Sequence, residues 1–156
     1  MVGKIRMEAI RKHNTAPESS MITVGFGKVD YCDVYRITKS TNESPEQIAV
    51  LLFDVPKWVE CLMSLRNWIV RPFGLKTKTE NNSTAIFPVI DRNDNEMLMG
   101  MNDKHLNFRL SILIDREKSF IYVTTVVHCN NIWGKMYFLL IKPFHKIIVH
   151  AMIKRQ

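Results

Sequence analysis

Five side chains in this chain are of a type that could bind or transform a ligand: Arg66, His105, Arg109, His128 and Tyr137. Arginine grips anionic groups through a bidentate fork. Histidine holds or releases a proton near neutrality, and tyrosine pairs an apolar ring with a hydroxyl. Arg66 poses the sharpest question. It sits in Pro56–Lys76, which reads as an amphipathic helix with Asp54 as cap, Pro56 in the first turn and Gly74 just past the end. At about 100° per residue, Lys57, Glu60, Ser64, Asn67 and Arg71 form a solvent stripe opposite Trp58, Leu62, Leu65, Ile69 and Phe73. Arg66 falls within about 60° of the apolar centre. An unpaired buried charge there costs several kcal/mol. The guanidinium therefore binds an anionic group in a cavity, pairs with Asp33, Asp54 or Asp103, or snorkels to the rim.

His105, Asn107 and Arg109 share the strand face opposite Phe108. They are solvated if the Phe108 face is the core. If a ligand lies on their side they form a polar cluster, joined by His128 across a hairpin. His128 and Cys129 are neighbours on a strand and point to opposite faces, so they cannot converge on one atom. No four-ligand zinc spacing is visible. Asp91–Glu96 opens like a calcium loop, but Glu96 stands where glycine is needed and Asn102 where a bidentate glutamate is needed, so it reads as a turn. A phosphate-cradling glycine loop and a serine-hydrolase elbow are both missing, and no cofactor is implied.

The elements that must position these residues follow from periodicity and punctuation. Val29–Thr38 reads as the first strand. Ser44-Pro45-Glu46-Gln47 is a capping box opening a short helix to about Phe53, followed by the Pro56 helix. Ala85–Ile90 and Glu96–Met101 read as strands with a turn at Asp91–Asn95. Leu106–Ile114 alternates strictly, and Phe120–Asn130 returns as its hairpin partner, with Ile121, Val123, Thr125, Val127 and Cys129 on the buried face if the turn has an even residue count. From Trp133 to Lys154 the period is helical. Lys135, Lys142 and Lys146 line one side, and Met136, Leu140, Ile147 and Ala151 the other. Tyr137, Phe144, Ile148 and Met152 widen its apolar arc, and Pro143 should kink or divide it.

Strands without intervening helices predict an α+β fold with an antiparallel sheet and helices on one face. With 156 residues and 46% hydrophobic content, the chain reads as one globular domain over 29–156 preceded by an N-terminal extension, partly loop, over 1–28. Cys32, Cys61 and Cys129 form no C-x-x-C pair and are expected as reduced, buried thiols. Residues 1–14 carry four basic residues without the apolar run of a signal peptide, and no run approaches the roughly 20 residues of a membrane span. The expected setting is the cytoplasm. A net charge of +7 is scattered, with no run of five like charges, so no nucleic-acid partner is expected.

Several blocks carry a resemblance: Pro56-x-Trp58-Val59, Leu65-Arg66-Asn67, Phe73-Gly74-Leu75-Lys76, Asp103 to Arg109, Thr124 to His128, and Pro143-Phe144-His145. Together they resemble a bacterial family, domain of unknown function 2867, over roughly residues 30–155. The resemblance implies a START-like helix-grip fold. In it a curved antiparallel sheet, with two short helices after the first strand, grips a long C-terminal helix and encloses a cavity for an apolar or amphipathic molecule. It implies no activity. Three expectations follow. The first is a binding module in which Arg66 or His128 orients the ligand. The second is a cyclase- or hydratase-like enzyme with His105 or His128 as base and an arginine as partner. The third is a partner- or membrane-surface protein acting through the basic terminal helix.

Overall fold

In a computed structural model, the chain is described over residues 11–13, 15–54 and 87–154, with Lys57, Cys61 and Arg71 between the last two. The elements are β1 (Arg11–His13), β2 (Tyr31–Thr38), α1 (Pro45–Phe53), β3 (Val89–Arg92), β4 (Glu96–Asn102), β5 (Leu106–Asp115), β6 (Phe120–Cys129) and α2 (Ile132–Lys154), with a 3-10 turn at Met21–Thr23. The six strands form one antiparallel sheet in the order β1-β2-β6-β5-β4-β3. The first long strand therefore closes on the last.

The local signals behind α1 and the β5–β6 hairpin act as their chemistry requires. Ser44 Oγ accepts from the Gln47 amide while Gln47 Oε1 accepts from the Ser44 amide at 2.8 Å, with Pro45 opening the helix. The turn from Arg116 to Ser119 has four residues, so Ile112 pairs with Val123 and Ile114 with Ile121. The even count puts both apolar sets on one face.

That face carries the core. Tyr35, Ile37, Met97, Met99, Ile112, Ile114, Ile121 and Val123 pack under Ile48, Ala49 and Leu52 of α1, with Val149 and Met152 of α2 against them. Farther along, Leu106, Val127 and Cys129 meet Tyr137, Phe138 and Ile141 of α2. The opposite face is covered as well. Residues 15–28, read from sequence as loop, bring Ile22 and Phe26 onto Leu98 and Val126. Gly25 and Gly27, at φ 64° and 81°, supply the left-handed turns that fold this segment back.

Four expectations are corrected. The β3 strand extends through Asp91 and Arg92, leaving a tight turn at 93–95 in which the Asn93 amide donates to the Glu96 carbonyl. The terminal helix is not divided at Pro143 but runs as one element from Ile132 to Lys154. Its packed side is Tyr137, Phe138, Ile141, Val149 and Met152, while Met136, Leu140 and Ile147 are exposed. A helix apolar on two sides does not say which side meets the sheet. Cys129 is buried, but Cys32 is half-buried and Cys61 exposed, and all three are free thiols. The Pro56–Phe73 helix and the turn at Asn81–Ser83 lie outside the described residues, apart from Lys57 and Cys61, which are helical, and Arg71; all three are exposed.

Candidate functional site: a buried carboxylate beneath the terminal helix

Two carboxylates are buried in the sheet, one on each face, and they are treated differently. Glu96 is 1% exposed. Its Oε1 accepts from the hydroxyls of Ser20 and Ser111 at 2.5 Å, and Oε2 accepts from the Met21 amide at 2.8 Å. Three donors offset the loss of hydration, and they stitch the 15–28 segment to β4 and β5. This acid is saturated and structural.

Asp33 is 0% exposed and sits on the helix face, in the middle of β2. Period two places it between Tyr31 and Tyr35, opposite Thr125 in the β2–β6 register. Its Oδ2 accepts from the Tyr31 hydroxyl at 3.0 Å and lies 3.5 Å from His145 Nε2 of α2. Its Oδ1 has no hydrogen-bond partner among the described residues, nor does His145 Nε2 have one of full hydrogen-bond quality. Buried polar atoms are rarely left in this state.

The surroundings are aromatic and cationic. The Tyr31 ring lies 4.9 Å from Phe138 and meets His145 edge-on at 6.5 Å, with Lys142 Nζ 5.0 Å from its centroid. Burial first, and the Asp33 charge second, push the Tyr31 hydroxyl far above its ordinary value, and Tyr35 is raised for the same reasons. Tyr31 thus stays a protonated donor. The arrangement offers one carboxylate oxygen to a ligand donor, an imidazole that can give or take a proton beside it, and an aromatic wall.

Of the five residues singled out from sequence, Arg109, His128 and His105 are engaged elsewhere, and Tyr137 shares a cluster with Tyr31 and Phe138. Arg109 and His128 lie on the other face. Arg109 Nη1 donates to the carbonyls of Ile22 (3.1 Å) and Val24 (2.6 Å), and its guanidinium lies 4.9 Å from the Phe26 ring centroid, so it clamps the 15–28 segment instead of standing in solvent. His128 Nδ1 pairs with Asp30 Oδ2 at 2.9 Å. The Cys129 amide donates to the same oxygen at 2.8 Å, and that bond first, with His128 and Lys28 after it, holds Asp30 below the usual carboxylate range. His105 Nδ1 pairs with the Asn131 side-chain amide, 3.0 Å from Nδ2 and 3.2 Å from Oδ1, while Asn131 Oδ1 caps α2 by accepting from the Gly134 amide. Tyr137 is buried on the helix face with Leu106 and Val127. Arg66 lies outside the described residues.

Asp33 and His145 carried a signal that the sequence reading passed over as chemistry. Each is a polar residue on the apolar side of its element: Asp33 alternates with Tyr31, Tyr35 and Ile37, and His145 falls on the helix side with Phe138, Ile141 and Met152. Among the described residues no three His, Cys, Asp or Glu side chains gather as a metal site.

Taken together, the molecule is an α+β protein built on an open antiparallel sheet, with a long C-terminal helix over a face that holds a buried acid. The chain belongs to the family described as a protein of unknown function, DUF2867, whose pattern matches residues 26–152. No curated protein and no solved structure matches it.

Proposed function

We propose that this chain binds a small amphipathic molecule between the sheet and α2, with a hydrogen-bond donor of the ligand on Asp33 Oδ1. One observation carries the reading: a carboxylate 0% exposed keeps an oxygen without a partner among the described residues, beside the aromatic wall of Tyr31 and Phe138. A hydroxyl or amine on an apolar body matches that face, because the donor satisfies the acid and the body meets Tyr31 and Phe138. A START-like helix grip is the fold variant we favour. It is supported by the pairing of β2 with β6 and by the placement of α1 and α2 on the same sheet face. The free thiols fit a reducing compartment such as the cytoplasm.

Native mass spectrometry of the purified protein, before and after denaturing extraction, tests this reading. The expected result is a bound small molecule in the native chain that is lost in Asp33→Leu. A native chain without an adduct, and without thermal stabilisation by long-chain alcohols or amines, overturns it.

A second reading rests on the 3.5 Å approach of His145 to Asp33. Here His145 serves as general base or acid, oriented by the carboxylate, in a hydratase- or cyclase-like reaction on the same ligand. The roles expected for His105 and His128 have no part in it, since those histidines are engaged by Asn131 and Asp30. A ligand recovered unchanged from both the native chain and His145→Gln sets this reading aside and leaves binding intact.

A further inference from the structure

The terminal helix has two apolar sides, and the sheet uses one. The packed side, with Tyr137, Ile141, His145 and Met152, spans about 120° of the wheel. On the far side Ile132, Trp133, Met136, Leu139, Leu140 and Ile147 are between 47% and 73% exposed. At 100° per residue they occupy a second stripe, also about 120° wide and roughly 22 Å long. A monomer in water seldom shows so many large apolar side chains in one continuous band.

Charge says what the band fits. Residues 131–156 contain no acidic residue, and Lys135, Lys142 and Lys146 fall between the two apolar sides along one flank. Lys135 and Lys146 are exposed, as is Lys104, whose carbonyl accepts from Asn131 at the head of the helix. Among the described residues no helix is long and apolar enough to cross a membrane. An apolar stripe carrying a tryptophan and flanked by lysines alone lies in the plane of an interface, with its cations at headgroup level.

We infer that the outer face of α2 docks on an anionic lipid surface, with Trp133, Met136, Leu139, Leu140 and Ile147 entering the acyl boundary and Lys135 and Lys146 meeting lipid phosphates. The inference does not depend on what Asp33 binds. It places one helix between two apolar environments, the sheet below and the lipid above.

Flotation of the full chain with vesicles at low salt tests it, comparing phosphatidylglycerol–phosphatidylcholine mixtures with phosphatidylcholine alone. The expected result is binding to the anionic vesicles that falls at least tenfold in Leu139→Asp, and that weakens in Lys135→Glu with Lys146→Glu and at high salt. A blue shift of tryptophan emission on vesicle addition should shrink in Trp133→Phe. Leu139 is 73% exposed, so Leu139→Asp is expected to keep the native circular dichroism and melting temperature. Absence of flotation overturns the inference, as does flotation unchanged by Leu139→Asp. A dimer in sedimentation that Leu139→Asp dissociates overturns it in favour of a second copy. A large loss of melting temperature in that variant overturns it in favour of a stripe covered by the chain's own residues 55–86.

Discussion

Asp33 Oδ2 and His145 Nε2 face each other at 3.5 Å across the interface between β2 and α2, a buried acid and an imidazole brought together from strand and helix. The distance is long for a hydrogen bond and short enough for an ion pair when the imidazole is protonated. Its meaning emerges by contrast with Glu96, which has three donors where Asp33 has one.

That contrast predicts different outcomes for amide replacement of the two acids. Glu96→Gln should cost about 3 kcal/mol, since Ser20, Ser111 and the Met21 amide lose charge-assisted bonds in a buried place. Asp33→Asn should be neutral, and Asp33→Leu should stabilise by about 1 kcal/mol, as expected where a residue is kept for function at the expense of stability. Urea unfolding measures both. Equal destabilisation by Asp33→Asn and Glu96→Gln would make Asp33 a structural residue.

Tyr31 sets the alkaline behaviour. Its folded value is raised by burial and by Asp33, so the stability it contributes is fully present below the unfolded value of about 10 and is lost as pH rises from there toward the folded value. Above about pH 10, native stability should fall more steeply in the unaltered chain than in Tyr31→Phe. Parallel alkaline limbs in the two proteins would contradict this.

Arg109 should govern the 15–28 cover. Arg109→Ala removes the donor to Ile22 and Val24 and the cation over Phe26, at an expected cost of about 2 kcal/mol. Limited proteolysis should then cut first within 15–28. Arg109→Lys should restore little, because an ammonium cannot stack and reach two carbonyls in the same pose. Unchanged proteolysis in Arg109→Ala would remove the clamp from the account.

Gly134 should tolerate no side chain. A Cβ at this position would fall on the His105 carbonyl oxygen, which is backbone and cannot swing aside. Gly134→Ala should therefore cost about 2 kcal/mol or more, although alanine favours helices in general. A stabilised Gly134→Ala would mean that the start of α2 stands farther from the 103–105 turn than described.

The parts of this fold that were legible in the sequence are those whose signals are local. Ser44, Pro45 and Gln47 announce α1, and the alternation from Leu106 to Ile114 gives both strand and buried face. Facts that depend on which surfaces meet were not legible. The wheel of α2 offers two apolar sides, and the sheet, not the wheel, selects Tyr137 and Ile141 over Met136 and Leu140. Arg109 reads from sequence as either solvated or part of a ligand cluster, and not as a clamp, because the Ile22–Phe26 cover lacks the periodicity of a packing element. Asp33 was visible as an acid among tyrosines, yet its significance came from a partner in α2, more than a hundred residues away.

The pairing of Tyr31 with Val127 and of Thr38 with Phe120 has a consequence for how the chain is made. As synthesis proceeds, β2 emerges early and must wait for the last strand before its central hydrogen bonds can form. Until then β5 and β2 both present open edges, a state that invites association between nascent chains. The local β5–β6 hairpin can form first and serve as the template on which β2 docks. Closure of that long loop is then the slow step of folding, and a chain ending before Phe120 leaves its first long strand paired only with the three residues of β1.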